Sequence, residues 1–212
     1  MISVIIPVKN GSNYIHEAIE GIIKQNINVE IIVVDDVSED NTVKIAQSMG
    51  CTVIKHETTR GQVAGKNTGI KTAKGKYIMF HDHDDVMNEG ALKRLYEAAD
   101  VPVVMAKVKD FISPELPSEP VRQDAYHGLL TGCTLIKKEV FGIVGLWDEN
   151  LKTGETVDFF MRLDEKNVGI KKLDFIAANR RIHEKNLGKT AQKQEYKDYA
   201  SILRAKIGIV KK

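Results

Sequence analysis

The segment 81–85, His-Asp-His-Asp-Asp, places three carboxylates and two imidazoles directly after the apolar run Tyr77–Phe80. Like charges this close in sequence repel one another unless a cation lies among them. Carboxylate oxygens are the ligands that hard divalent cations take in proteins. The spacing therefore predicts a metal site at the end of a buried strand, and the chemistry of that site depends on the elements that position it.

Strands and helices alternate along the chain before this acidic segment. Continuous apolar runs at Ser3–Val8 and Glu30–Val34 are typical of strands buried on both faces, and Thr52–Lys55 predicts a third strand. Apolar stripes with a period of 3.6 residues predict helices between them. The predicted helices run to Gln25, to Met49, from Gly61 to Ala73 and from Glu89 to Ala98. This alternation is the pattern of a parallel sheet covered by helices.

Four of the five prolines lie between residues 102 and 120 and separate two halves of the chain. Proline interrupts regular structure, so Ser113–Pro120 is predicted to be an irregular crossing segment. The elements predicted around and after it are the strands 101–108, 129–136 and 173–178 and the helices 138–144 and 155–165. We predict one α/β domain over residues 1–212, composed of the parts 1–112, 121–189 and 190–212.

The charge of the chain is balanced overall but unevenly distributed. The 31 basic and 29 acidic residues give no excess that would predict nucleic-acid binding. Residues 181–212, however, contain nine basic and three acidic residues. We expect a basic C-terminal helix over 190–212 that contacts a membrane surface, a partner or a second copy of the chain. A solvated helix with a cationic face is the alternative.

Cys51 and Cys133 are isolated, with no spacing typical of a metal or disulfide site. Reduced thiols are expected in the cytoplasm. The apolar N-terminal run is too short for a signal peptide, and no run approaches about 18 apolar residues. We therefore expect a cytoplasmic protein, with peripheral contact at the inner face of the membrane as a further expectation.

Polar residues follow three of the predicted strands, at Val8–Asn10, at Asp35-Asp36 and at His81–Asp85. Ligands of open parallel sheets bind at the carboxyl ends of the strands, often with helix N-termini facing their phosphates. We therefore expect these three segments to converge on one edge and form a ligand site.

The order of these segments resembles the successive motifs of the inverting, nucleotide-sugar-dependent glycosyltransferases of family 2, which have the GT-A fold. The matching stretches are SVIIPVKNGSNYIHEAIEGIIKQ, EIIVVDDVSEDNT and GQVAGKNTGIKTAKGKYIMFHDHDD. The resemblance covers residues 2–98 closely and 125–186 more loosely. It implies an α/β, Rossmann-like open mixed sheet of GT-A type flanked by helices, with a smaller acceptor-side half.

The resemblance also implies a nucleotide-sugar donor, preferably a UDP-sugar. Pro7, Val8 and Asn10 would hold its uracil and ribose together with Asp35 and Asp36, one of which accepts the hydrogen bond of the uracil imide. The alternative for the two aspartates is a turn that caps the following helix.

The resemblance identifies Asp82 and Asp84 as an Asp-x-Asp pair that binds Mn²⁺ or Mg²⁺ against the donor diphosphate. Lys66, where the family often has Arg, would pair with the same phosphates, and its alternative is an ordinary solvated side chain. The segment Arg181-Ile182-His183 resembles a further family motif, through which His183 reaches the metal or the diphosphate. A surface histidine is the alternative.

In the acceptor half, the family's general base is an aspartate of a Glu-Asp motif, but this chain has Thr156 at that position. Threonine is no base at neutral pH. Glu155 and Asp158, three residues apart on one helical face, are therefore the candidate bases. Trp147 is expected either to stack on an acceptor sugar or to be a half-buried packing residue.

The function predicted from this resemblance is transfer of a sugar, with inversion, to a hydroxyl of a saccharide or lipid-linked acceptor in surface polysaccharide or glycoconjugate synthesis. A nucleotide-sugar-binding protein without catalysis is the first alternative. A metallohydrolase is the second, because 81–85 fits the start of a His-x-His-x-Asp-His signature, although Val86 replaces the last histidine. In an extended segment, Asp82 and Asp84 would face one side and both histidines the other.

Overall fold

The computed structural model describes residues 1–116, 120–128, 131–184, 186, 197–200 and 202. Its strands are β1 (Ile2–Val8), β2 (Val29–Asp35), β3 (Thr52–Lys55), β4 (Tyr77–Phe80), β5 (Val86–Met87), β6 (Val103–Ile112), β7 (Thr134–Lys137) and β8 (Ile170–Ile182). Its helices are α1 (Ile15–Ile23), α2 (Thr42–Ser48), α3 (Gln62–Thr72), α4 (Ala91–Glu97), α5 (Val140–Val144) and α6 (Glu155–Glu165).

The eight strands form one mixed sheet in the order β3-β2-β1-β4-β7-β6-β8-β5. Strands β1 to β4 are mutually parallel where they pair. Beyond them, β7 is antiparallel to both β4 and β6, while β6 and β8 are parallel. The predicted α/β class and the open mixed sheet are thus confirmed, and strands from both predicted halves contribute to the same sheet.

The sheet separates two hydrophobic layers because consecutive side chains of a strand point to opposite faces. On one face, α1 and α4 pack through residues such as Ile19 and Leu92. On the other face, α3 and α6 pack through residues such as Ile70 and Phe159. All seven residues of β1 are buried, as its continuous apolar sequence predicts. This central strand therefore delivers its last residues to a rigid edge of the sheet.

Helix α3 lies unusually close to β1. A Cβ atom added at Gly69 would lie 2.3 Å from Cγ2 of Ile5, and one at Gly65 would lie 2.9 Å from Cβ of Pro7. Glycine at these two positions permits the close approach of backbone to strand. Lys66 lies between Gly65 and Gly69 in the sequence. The close approach of α3 therefore places Lys66 beside the end of β1.

The structure differs from the predicted elements mainly in the second half. The predicted strand 129–136 is a 3-10 turn at Thr131–Cys133 followed by β7, and residues 129–130 lie outside the described part. Strand β8 is 13 residues long, and β5, which pairs with it, was not predicted. The expected tail over 190–212 is described only at 197–200 and 202, which are helical. No helix within the described ranges is long and apolar enough to span a membrane.

Candidate functional site

The acidic segment after β4 forms a tight turn, in which the backbone N–H of Asp85 donates to the carbonyl of Asp82 at 3.2 Å. The expectation of an extended segment with both histidines on one side is therefore wrong. His81 is fully buried, and burial lowers its pKa to about 4. The charge of His83 acts to lower the pKa of both Asp82 and Asp84. The turn brings the two predicted ligands together, with His83 beside them.

Asp82 and Asp84 are held in different electrostatic states. Burial, followed by the charge of Asp84, raises the pKa of Asp82 above its usual value. Burial also acts to raise the pKa of Asp84, but the charge of His83 and the hydrogen bond of His183 outweigh it and lower that pKa. Asp84 is therefore the more readily ionised member, and a cation between the two would remove their mutual repulsion.

His183 lies against Asp84, with Nε2 at 2.7 Å from the carboxylate. Its side chain is 7% exposed, so the surface-histidine alternative is wrong. The Tyr14 ring packs on it with a centroid separation of 5.1 Å. The C-terminal end of β8 thus brings His183 to the acidic turn.

Asp85 and Arg181 tie β8 to the acidic turn. The Asp85 carboxylate accepts a hydrogen bond from the backbone N–H of Arg181 at 2.9 Å, and the Arg181 guanidinium donates to the carbonyl of Asp84 at 2.9 Å. Arg181 also pairs with Glu17 of α1 at 2.5 Å. Burial and the charges of Asp82 and Asp84 raise the pKa of Asp85 well above its usual value. The third acid of the segment therefore has a structural partner of its own.

Lys66 and Glu155 form a buried ion pair of 2.7 Å between α3 and α6. Lys66 is 2% exposed and lies 5.0 Å from the Trp147 ring, so the solvated alternative is wrong. The charge of Lys66 lowers the pKa of Asp82, and the charge of Glu155 raises it. Although burial opposes it, the charge of Lys66 and its hydrogen bond lower the pKa of Glu155. Glu155 is thus an ionised carboxylate next to the acidic turn.

The other candidate base, Asp158, is bound to its own helix. Its carboxylate accepts a hydrogen bond from Nε of Arg162 at 2.8 Å, one turn along α6. The Thr156 hydroxyl donates to Glu155 at 3.3 Å. Asp158 is thus occupied by a partner on its own helix, whereas Glu155 pairs with Lys66 across to α3 and its charge raises the pKa of Asp82. The geometry therefore favours Glu155 over Asp158.

Asp35 and Asp36 are both buried at the end of β2, with exposures of 3% and 6%. Asp36 accepts hydrogen bonds from the backbone N–H groups of Arg60 at 2.8 Å and Gly61 at 2.9 Å and contacts the His56 ring at 2.8 Å. Oδ1 of Asp35 is buried and has no hydrogen-bond partner in the described part of the chain. Asp36 therefore organises the loop before α3, and one carboxylate oxygen of Asp35 is left without a partner among the described residues.

The capping alternative for this pair is wrong, because Asp40 holds the start of α2 instead. Asp40 accepts a hydrogen bond from the backbone N–H of Thr42 at 3.0 Å and another from Ser12 at 3.0 Å. Asn10, with φ of 55°, accepts from the N–H of Glu39 at 2.9 Å. The segments after β1 and β2 are thus joined.

Pro7 and Val8 are buried in β1, and the carbonyl of Val8 accepts the N–H of Asp36 at 2.8 Å. Val8 thus holds Asp36 through its backbone carbonyl. Asn10, which was predicted to bind the donor together with Pro7 and Val8, is exposed.

Trp147 is buried, with 3% exposure, and stacks on Phe159 at a centroid separation of 4.3 Å. Trp147 is therefore a packing residue, more deeply buried than the half-buried one expected, and acceptor stacking is wrong. Sequence reasoning did not select Gln62, whose side-chain amide donates to Asp82 at 3.0 Å. Gln62 lies four residues before Lys66, and this spacing places both on one helical face.

Among the described residues, no three His, Cys, Asp or Glu side chains are arranged as a complete metal site. The donor set of Asp82 and Asp84 nevertheless fits a hard divalent cation, because both offer carboxylate oxygens and their like charges need compensation.

Residues 3–145 match the family described as Glycosyl transferase family 2. An uncharacterized glycosyltransferase of Rickettsia prowazekii is 31% identical over 227 aligned positions, which cover 93% of this chain and 70% of that protein. The chain therefore belongs to glycosyl transferase family 2, which argues against the hydrolase alternative. The minor teichoic acid biosynthesis protein GgaB of Bacillus subtilis is 32% identical over 72% of this chain.

Solved structures show the same fold. Staphylococcus aureus TarS in complex with UDP-GlcNAc has a TM-score of 0.72 at 25% identity, covering 86% of this chain and 59% of that one. The mannosyltransferase PcManGT of Pyrobaculum calidifontis, in complex with GDP-Man and Mn²⁺, has a TM-score of 0.75 at 15% identity, covering 99% and 65%. The chain spans less than two thirds of both, and 20% of GgaB.

Proposed function

We propose that the protein transfers a sugar from a UDP-sugar to a hydroxyl acceptor with inversion. The observation that carries this proposal is the convergence of Asp84, His183, Lys66 and Glu155 at the end of β4. Membership of family 2 and the nucleotide-sugar complex of TarS support a nucleotide-sugar donor. The buried, unpartnered Oδ1 of Asp35 supports a base with an imide N–H, as uracil has.

Asp82 and Asp84 would hold Mn²⁺ or Mg²⁺, and the Mn²⁺ complex of PcManGT supports a divalent ion in this fold. When bound, the ion neutralises the negative charge that develops on the leaving diphosphate. The protein's own contribution is to keep Asp84 ionised through His83 and His183. Gln62 orients Asp82 through a hydrogen bond of 3.0 Å.

Glu155 would be the general base. As an ionised carboxylate it accepts the proton of the acceptor hydroxyl while the hydroxyl oxygen attacks the anomeric carbon and the diphosphate leaves. Lys66 holds Glu155 in place at 2.7 Å. A single displacement of this kind inverts the anomeric configuration.

We further propose a saccharide or lipid-linked acceptor in surface polysaccharide synthesis, in the cytoplasm or at the inner face of the membrane. The name of the relative GgaB supports the polysaccharide role. The basic residues beyond 181 support contact with an anionic surface.

Release of UDP from a panel of UDP-sugars with Mn²⁺ tests this function, with water and candidate saccharides as acceptors. The Glu155→Gln variant should lose at least about 100-fold in turnover, as expected for a general base. Asp158→Asn, the matched change one turn away, should lose less than about tenfold. Proton NMR of the product should show a β-anomer formed from an α-linked donor.

If Glu155→Gln kept full activity and Asp158→Asn were inactive, the general base would be Asp158 and not Glu155. A native chain that binds UDP but releases none from any donor would favour the non-catalytic alternative.

A further inference from the structure

Three described residues of the C-terminal segment, Asp198, Tyr199 and Ile202, contact the loop that precedes α6. Asp198 is 5% exposed, and its Oδ2 accepts hydrogen bonds from the backbone N–H groups of Lys152 at 3.1 Å and Thr153 at 2.9 Å. The Thr153 hydroxyl donates to the same oxygen at 2.9 Å. Three donors of one loop thus converge on one buried carboxylate.

A second contact joins the same segment to the residue next to Glu155. Gly154 has φ of 71°, and a Cβ atom there would lie 2.8 Å from Cε1 of Tyr199 and 3.4 Å from Cδ1 of Ile202. Ile202 is 5% exposed. The segment therefore covers the glycine from which α6 begins.

Helix α6 has no side-chain hydrogen bond at its own N-cap residue, Gly154. The donors that Asp198 binds come from the two residues before that cap. A carboxylate near the N-terminus of a helix is also favoured by the helix dipole. The start of α6, and with it the backbone of Glu155, is thus held by a residue 43 positions further along the chain.

We propose that Asp198 is a positioning residue, which fixes the start of α6 so that Glu155 remains paired with Lys66 beside Asp82. This proposal rests on the proposed function of Glu155. Asp198 lies outside residues 3–145, which match the family. Its contacts with Lys152 and Thr153 therefore lie beyond the part of the chain that the family model covers.

The test compares the full-length Asp198→Ala and Asp198→Asn variants with Asp100→Ala, which removes an aspartate that is 69% exposed and pairs with Lys171. Hydrolysis of UDP-sugars with Mn²⁺ should fall at least about tenfold in kcat for Asp198→Ala, because small displacements of catalytic groups are costly. The affinity for UDP should change less than about twofold, since Asp35, Asp82 and Asp84 lie on other elements. Asp198→Asn should recover part of kcat because its amide oxygen can accept the same bonds.

Two readouts do not depend on activity. Hydrogen exchange at residues 151–158 should be faster in Asp198→Ala and unchanged in Asp100→Ala, with α3 unaffected in both. The emission of Trp147, the sole tryptophan, should shift because its ring packs on Phe159 of α6.

Unchanged exchange at 151–158 would overturn the positioning role, as would a kcat that falls only in proportion to the folded fraction. If the native chain neither binds UDP nor hydrolyses a UDP-sugar, the proposed function fails. Exchange and Trp147 emission then decide separately whether Asp198 holds α6.

Discussion

The ion pair of Lys66 and Glu155 is enclosed on one side by the aromatic rings of Phe80 and Trp147. Because both charges are withdrawn from water, each depends on the other for compensation. Lys66 replaces the arginine that the family often has, and its single ammonium group is used on Glu155 at 2.7 Å. The pair therefore links α3 to α6 beside the acidic turn.

Removal of Lys66 alone should be strongly destabilising. We expect Lys66→Met to lower the free energy of unfolding by about 3 kcal/mol, because it leaves Glu155 buried and unpaired. The double variant Lys66→Met with Glu155→Leu should lose clearly less than the sum of the single variants. Urea unfolding measures both values.

Lys24→Ala is the matched control, because Lys24 pairs with Glu20 on the surface, with side-chain exposures of 64% and 46%. Its effect should stay below about 0.5 kcal/mol. Additive losses for Lys66 and Glu155 would contradict a mutually dependent pair.

Individual site residues could be predicted to different extents. Asp82 and Asp84 follow β4 and Asp35 ends β2, and strand ends can be recognised from local sequence. The contact of Lys66 with Glu155 joins residues 89 positions apart, and that of His183 with Asp84 joins residues 99 apart. No local pattern specifies such pairs. The sequence therefore indicated the aspartates at the strand ends, but neither Gln62 nor the partner of Lys66.

At the scale of elements, the contact of α3 with β1 sets the position of Lys66. Gly69→Ala should lower stability by about 1–3 kcal/mol, because the new methyl group would lie 2.3 Å from Cγ2 of the buried Ile5. The same change at Gly142 of α5 meets no atom within 4 Å. It should be neutral or stabilise by up to about 1 kcal/mol. Thermal unfolding of the two variants checks the difference, and equal effects would contradict the close contact.

Asp40 links α2 to the loop after β1, and this link should depend on pH. Partial burial acts to raise its pKa, but hydrogen bonds from Thr42 and Ser12 outweigh it and lower the pKa to about 2. A carboxyl whose folded-state pKa is lowered contributes stability above its unfolded pKa of about 3.8 and loses it as the pH falls towards 2. Since Asp40 is exposed, the contribution should be below about 1 kcal/mol.

The test of this link is the urea midpoint of the native chain and Asp40→Asn across pH. The variant should be less stable at pH 7, and the two should converge between about pH 4 and 2. A constant difference over that range would show that ionisation of Asp40 is not the cause.

Elements were predicted best where burial determines the sequence pattern. Helix α6 was predicted with its observed bounds, and β3 and β4 likewise. Strand β8 extends past its predicted end into the polar stretch Asn179–Arg181, where ion pairs and hydrogen bonds replace apolar burial. The two-residue β5 exists only through its pairing with β8, so its own sequence is too short to indicate it.

At the scale of the whole molecule, a mixed sheet brings four distant parts of the chain to one edge: the ends of β1, β2 and β4, and the end of β8. Local apolar patterns in the sequence predict the parallel strands β1, β2 and β4 of this sheet. The antiparallel insertion of β7 and the return of β8 depend on long-range pairing, for which only the family resemblance gave an indication. Asp198, further along the chain, then contacts the loop that precedes α6.

The most direct test of the central claim is calorimetric binding of UDP with and without Mn²⁺. The native chain should bind UDP in the presence of Mn²⁺ and lose at least about tenfold in affinity, or about 1.4 kcal/mol, when the metal is chelated. Asp84→Asn should bind equally weakly in both conditions, and Asp174→Asn, which changes an aspartate of 86% exposure, should behave like the native chain. Failure of the native chain to bind UDP, or binding that neither chelation nor Asp84→Asn weakens, would contradict a metal-assisted diphosphate site at the acidic turn.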